Sequence, residues 1–391
     1  MQLARRLESL DQNVFADMDH AKNQAKNGGQ EIIELSLGSS DLPVESSTIK
    51  AIADALDNPD THGYLLHSKT KDFRVAVAEW YRKKYQISVD PETEVLQLIG
   101  SQEGTAHLPL AILNPGDIAL LLDPGYPSHA GGVHLAGGTI YPMPLLAKNN
   151  FLPIFNDIPR NILDKSKMMV LSYPHNPTTA IAPLTFFQQA VNFCRQHNLV
   201  LIHDFPYGDL VFGSQTDLAP SILQADVQKE LSIEFFSMSK SYSMGGFRIG
   251  YAIGNKKLIK ALRQIKAVVD FNQYRGILDG AIAALSGDQA SVTKTVKTFQ
   301  ERRDVFVQAL QEMGWQVPTP PATMYIWAKL PEPWQNNSID FCTKLVAQTG
   351  VAVAPGAGFG EAGEGYVRFA LVKDPATLQK AARKIQQFLN I

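Results

Sequence analysis

Cysteine is scarce in this chain: only Cys194 and Cys342 occur in 391 residues. They lie far apart in helical-looking segments, with no CxxC pair and no Cys/His cluster, which excludes a disulfide scaffold and a zinc site, and we expect no metal. Two buried thiols imply a reducing compartment, and we expect a cytoplasmic protein. Long apolar runs are also missing. No stretch approaches the roughly 18 residues of a membrane span, and the N-terminal MQLARRLESLDQNVFADMDHAKNQAK lacks the apolar centre of a signal peptide. Charge of one sign is equally absent: 36 basic residues face 38 acidic ones, net −2, without a block of five like charges. Nucleic acid and anionic membranes are thereby excluded as partners, and a small molecule is expected instead. There is no internal repeat and no low-complexity tract.

What the chain does have is 45% hydrophobic and 19% charged residues, enough for a large core and more than one domain. Short apolar runs bounded by turn residues alternate with longer amphipathic stretches, the pattern of an α/β fold. The expected strands are 94–100, 117–123, 168–174, 199–205, 233–238 and 247–254. Most are apolar throughout, as strands covered on both faces are. LTFFQQAVNFCRQHN (184–198) spaces its apolar residues as a crossover helix does. The texture changes near residue 287, where a long amphipathic helix precedes a proline-rich, β-rich run. The last helix, 376–389, keeps Leu378, Ala382, Ile385 and Leu389 on one face.

The stretch SMSKSYSMGGFRIG (237–250) sets Lys240 among four serines, with Gly245, Gly246 and Arg248 behind it. Most loop lysines are solvated surface charges. Here Ser237 and Arg248 supply a hydroxyl and a guanidinium suited to a phosphate, and the glycine pair lets backbone approach a ligand closely. The GxxxxGK[ST] order of a nucleotide loop is absent. The other common use of a lysine beside a bound phosphate is a Schiff base to pyridoxal phosphate. That chemistry needs an acid to keep the pyridine nitrogen protonated, and Asp204 ends an apolar strand where α/β folds present ligand groups. Tyr207 and Asn176 stand where they could bond the ring's phenolic oxygen. Ser101 and Gln102 open a helix whose free N–H groups suit a phosphate, and Tyr126 offers a stacking face. Taken singly, each has an ordinary reading as turn, cap or core residue.

In chain order, GSQE, DPGYP, SYPHNPT, HDFPYGD and SMSKSYSMGGFRIG each fall near a strand end. With GYLLHSKTKDFRVAVAEWY before them and PGAGFGEAGEGYVRFAL after, this arrangement resembles the class I/II, fold type I, pyridoxal-phosphate aminotransferases over nearly the whole chain. The resemblance implies a large domain (46–285) with a mostly parallel seven-stranded sheet covered by helices. A smaller α+β domain (1–45 and 286–391) would carry an N-terminal arm. It implies that Lys240 holds the cofactor and shuttles the substrate proton, that Asp204 pairs with the pyridine nitrogen, and that Asn176 and Tyr207 bond the ring oxygen. The phosphate would lie among Ser101, Gln102, Ser237, Arg248 and Tyr64 of the second subunit of a homodimer. Arg368 would clamp the substrate carboxylate, aided by the backbone at Gly38. Three positions depart from the family pattern: Thr179 and Lys69 where glycine is common, and GSSD in the opening motif. None removes a catalytic group.

The substrates implied are an L-amino acid and a 2-oxo acid exchanging an amino group in a ping-pong cycle. The segments 302–315, 318–333 and 358–371 resemble the subgroup containing alanine and LL-diaminopimelate aminotransferases, 144–155 and 232–250 are similar to its diaminopimelate members, and the diaminopimelate type is the leading expectation. Aspartate or alanine specificity is the alternative. Side-chain selection is expected from VVDFNQYRGILDGA (268–281): Arg275 would favour a distal carboxylate, Asp270 a distal ammonium, and their ordinary reading is as surface and helix-end charges. A β- or γ-lyase would use the same Lys240, Asp204 and Arg368, and product analysis separates it. A regulator with a fused DNA-binding module is disfavoured by the early first motif and the neutral charge.

Overall fold

The computed structural model describes residues 3–10, 14–213 and 218–390. Seven strands form the main sheet: β1 (Val95–Leu98), β2 (Ile118–Asp123), β3 (Thr139–Pro144), β4 (Ser166–Leu171), β5 (Val200–Asp204), β6 (Ser232–Ser237) and β7 (Gly250–Gly254). Their spatial order is β1-β7-β6-β5-β4-β2-β3. Only β7 runs antiparallel to its neighbours, so the other six point their carboxyl ends to one edge.

Successive strand side chains leave on opposite faces. Leu120, Leu122, Met169, Leu171, Leu201 and Phe236 enter one buried layer, with Phe73, Val77 and Tyr81 of the helix Lys71–Tyr85 packed over them. Ala119, Leu121, Val170, Ile202 and Phe235 enter the other, covered by Leu108, Val133 and Leu262 from three helices, Ser101–Ile112, Pro127–Leu135 and Lys256–Val269. This explains why these strands read as continuous apolar runs. The strand β3 is the exception at the sheet's edge: its sequence TIYPMP is largely exposed and carries two prolines, and it is the one strand of this sheet absent from the sequence expectation.

A separate core forms around the helix Ala290–Glu312, the helix Pro375–Leu389 and an antiparallel sheet of β8 (Tyr325–Lys329), β9 (Ala354–Pro355) and β10 (Tyr366–Ala370). The helix Val14–Asn27 adds Met18, Ala21 and Ala25 to it. A two-residue parallel pairing, Ile33 with Val351 and Glu34 with Ala352, brings early chain beside late chain. No helix among the described residues is long and apolar enough to cross a membrane.

Candidate active site

The carboxyl edge of the main sheet and the β8-β9-β10 sheet enclose a cleft of about 1220 Å³. Its walls include Ser101, Gln102, Tyr126, Asn176, Asp204, Tyr207, Ser237, Lys240, Arg248, Gly38 and Arg368, eleven of the residues singled out from sequence. Convergence follows from topology. The strands β1, β2, β4, β5 and β6 each end at this edge and release the loop that carries the relevant side chain.

One end of the cleft suits an anion. The helix Ser101–Ile112 begins there; Glu103 N donates to Gly100 O at 3.2 Å, while the Ser101 and Gln102 N–H groups precede the first intrahelical bond. Gly100 precedes it at φ +93°, and a Cβ there would lie 2.5 Å from Arg248 Nη2. Glycine therefore lets the guanidinium approach the helix start. Arg248 adopts φ +53° and donates Nη1 to Gly245 O at 2.9 Å. Behind the helix start, the buried Glu103 accepts from Ile99 N at 2.7 Å and from Lys266 Nζ at 2.9 Å.

At the centre, Asp204 is buried, and its Oδ2 lies 3.0 Å from His129 Nε2. Its Oδ1 is buried with no hydrogen-bond partner. A carboxylate oxygen left so is costly unless a cationic or N–H group meets it, which fits the protonated nitrogen of a planar heterocycle. Lys240 Nζ donates to Gly38 O at 2.6 Å and lies 5.6 Å from the centre of the Tyr207 ring. Tyr207 and Tyr325 place their hydroxyls 2.7 Å apart. Burial, reinforced by Tyr325, pushes Tyr207 well above the ordinary phenol range.

At the far end, Arg368 is held as a fork. Nη1 donates to Asn176 Oδ1 at 2.7 Å and Nη2 to Ser36 O at 2.6 Å. The guanidinium carbon lies 4.2 Å from the Tyr325 ring centre and 4.7 Å from that of Phe359. Its buried Nε has no partner. A planar cation clamped between two rings is preorganised for a carboxylate. Thr179, where glycine was the usual residue, occupies the left-handed region at φ +66°, buried, with its N–H donated to His175 O at 2.8 Å.

Three expected residues lie outside this cleft. Tyr64 is 87% exposed and meets the edge of Phe271 at 6.0 Å. Asp270 does not face substrate within its own chain: its carboxylate accepts from Lys266 Nζ at 2.9 Å, behind the helix that starts at Ser101. Arg275 is likewise engaged, with Asp279 at 3.0 Å and Asp72 at 3.6 Å. Conversely, sequence reasoning passed over His129, Tyr325 and Phe359. His129 lies only three residues beyond Tyr126 in the same motif, a signal that was available. Tyr325 and Phe359 read as ordinary strand and turn aromatics.

The aminotransferase class I and II family model matches residues 30–385. An LL-diaminopimelate aminotransferase of Dehalococcoides mccartyi is 42% identical over 388 residues, 99% of each chain. Among solved structures, a probable N-succinyldiaminopimelate aminotransferase from Thermus thermophilus superposes with a TM-score of 0.90 at 40% identity, covering 96% of this chain and 99% of its own. The substrate-bound BacF structure from Bacillus subtilis gives 0.89 at 36% identity, covering 93% and 91%. Likeness of this extent, over a cleft built from the family's own motifs, settles the assignment: the chain belongs to the class I and II aminotransferases of fold type I and is a transaminase.

Proposed function

We propose that this transaminase is of the LL-diaminopimelate type, moving an amino group between that diamino diacid and a 2-oxo acid by a ping-pong cycle. The family and its fold imply dependence on pyridoxal phosphate, which, when bound, supplies an aldehyde to carry the amino group and a ring that absorbs electrons from the substrate carbon. The observation that carries the transaminase chemistry is the convergence of three charged groups on one cleft: the Lys240 amine, the unpartnered Asp204 oxygen and the Arg368 fork. The helix start at Ser101 and Gln102, with Ser237 and Arg248, would hold the phosphate. Asp204 Oδ1 would meet the ring nitrogen, while His129 fixes the other oxygen and so the carboxylate's orientation. Asn176 and Tyr207 would bond the ring oxygen, and Tyr126 would lie against the ring face. Arg368 would orient the substrate carboxylate beside Gly38, leaving the Lys240 amine to take the Cα proton and return it at the far side of the transferred nitrogen.

The substrate assignment is supported by relatives of about 40% identity over their whole length. We further propose a homodimer, with Tyr64 of each subunit completing the other's phosphate site. Residues 46–285 would form the large domain and 1–45 with 286–391 the small one. Two buried, unbridged thiols support a cytoplasmic location.

Single-turnover mixing of the holoenzyme with LL-diaminopimelate, its N-succinyl derivative, L-alanine, L-aspartate and L-glutamate, followed by cofactor absorbance, tests the reading. Fast conversion by LL-diaminopimelate and glutamate, with alanine slow, is expected. Conversion by the succinylated form instead would move the assignment toward the activity named for the Thermus relative. Ammonia release would point to a lyase.

A further inference from the structure

Tyr325 was given no role by the sequence, yet it lines the cleft. Its ring supports the Arg368 guanidinium at 4.2 Å. Its hydroxyl occupies the space that a side chain at residue 38 would need, beside the Gly38 carbonyl that anchors Lys240. The same hydroxyl lies 2.7 Å from that of Tyr207, and among the described residues it is the Tyr207 hydroxyl's one hydrogen-bonding partner. One phenol thus touches the carboxylate clamp, the anchor of the reactive lysine and the tyrosine assigned to the cofactor.

A hydroxyl carries a single proton. Tyr207 can point it into the cleft or give it to Tyr325, but not both. The groups facing Tyr325 are Lys240 from the loop after β6, Arg368 on β10, Tyr207 from the loop after β5, and Tyr126 at the start of the helix Pro127–Leu135. Burial alone would raise Tyr325. The two cations, Lys240 and Arg368, together with the hydrogen bond from Tyr207, outweigh it and bring its ionisation below the ordinary phenol range.

We propose that Tyr325 is a positioning residue that competes with the cofactor for the proton of Tyr207. When Tyr325 donates its proton to Tyr207, it turns that hydroxyl toward the cofactor's ring oxygen. When Tyr325 turns its proton elsewhere, it accepts from Tyr207 and draws the hydroxyl away. The inference rests on the assignment of Tyr207 to the ring oxygen, given above.

The test is a pH titration of bound-cofactor absorbance, without substrate, in wild type, Tyr325→Phe, Tyr207→Phe and the double variant. Phenylalanine keeps the ring against Arg368. Removing the competitor leaves Tyr207 donating to the cofactor throughout, so Tyr325→Phe lowers the midpoint by roughly half to one pH unit, the size of one hydrogen bond. Tyr207→Phe raises it, and adding Tyr325→Phe to that variant changes nothing further, because Tyr325 acts only through Tyr207. An unmoved or raised midpoint in Tyr325→Phe, or a shift that persists without Tyr207, would overturn the competition. No shift in Tyr207→Phe would remove the underlying assignment instead.

Discussion

Arg368 shows how much one side chain can be committed before substrate arrives. Two of its nitrogens are bonded to Asn176 and Ser36, and the rings of Tyr325 and Phe359 lie against its guanidinium. A lysine there would offer a point charge that cannot span the same acceptors. Arg368→Lys should therefore raise KM for every amino donor, with kcat/KM down by roughly tenfold or more. Steady-state kinetics with two chemically different donors checks it, and loss for one donor alone would contradict a shared clamp. His175 makes a different prediction. It is fully buried, with Nδ1 at 2.7 Å from Thr178 Oγ1 and Nε2 without a partner. Burial, then the neighbouring His129, pushes its pKa down from 6.5 to about 3. A histidine depressed on folding stays neutral in the native protein while the unfolded chain takes up a proton. Its contribution is therefore complete above pH 6.5 and is lost as pH falls toward 3. At pH 5 the loss is about 2 kcal/mol. Thermal unfolding of His175→Asn should show a shallower acid slope than wild type; parallel slopes would show that His175 does not set it. The residues that line the cleft and were singled out from sequence were legible because each sits near a strand end with a distinctive neighbour. Tyr325 was not, since a tyrosine inside MYIWAK carries no mark that its hydroxyl faces a cleft.

At the scale of elements, the helix Ser101–Ile112 does two jobs. Its first turn faces the anion end of the cleft, and Glu103 in that same turn is tied to Lys266 on the helix Lys256–Val269. Burial lifts Glu103 to about 7 against the pull of Lys266. Removing one partner leaves the other charge buried and uncompensated. Lys266→Met should cost about 3 kcal/mol in urea unfolding, and adding Glu103→Leu should restore only part of it, because Asp270 and the Ile99 N–H lose their partners as well. Equal stability of the single variant and wild type would show the pair to be idle. The same cluster bears on Asp270, whose carboxylate pairs with Lys266 four residues earlier on the same helix, a local spacing that the sequence itself displays. Elements were otherwise well marked where burial on both faces forced apolar runs. The strand β3 escaped because an exposed edge imposes no such run and tolerates the prolines that argue against a strand elsewhere.

The whole molecule leaves Tyr64 pointing outward, with Leu66, Val268, Val269 and Phe271 also exposed. If Tyr64 completes a second subunit's site, two damaged chains should repair each other. Tyr64→Ala and Lys240→Ala homodimers should each be impaired. Unfolding them together and refolding should yield mixed dimers in which one site holds both native groups. Regained activity is the expected outcome, and none beyond the sum of the parents would show that Tyr64 does not cross between subunits. A dimer-wide arrangement of this kind would not be encoded in any local pattern of one chain, and the sequence suggests it only through family resemblance.

The short pairing of Ile33 and Glu34 with Val351 and Ala352 also fixes an order of events. As a nascent chain emerges, its main sheet is complete once residue 254 is made, while residues 33 and 34 still have no partner. They wait for almost a hundred more residues before their strand exists. Ser36 follows directly and supplies the carbonyl that holds Arg368. During synthesis, then, the groups around the start of the helix Ser101–Ile112 are in place first, and Arg368 with its Ser36 partner is the last part of the cleft to be assembled.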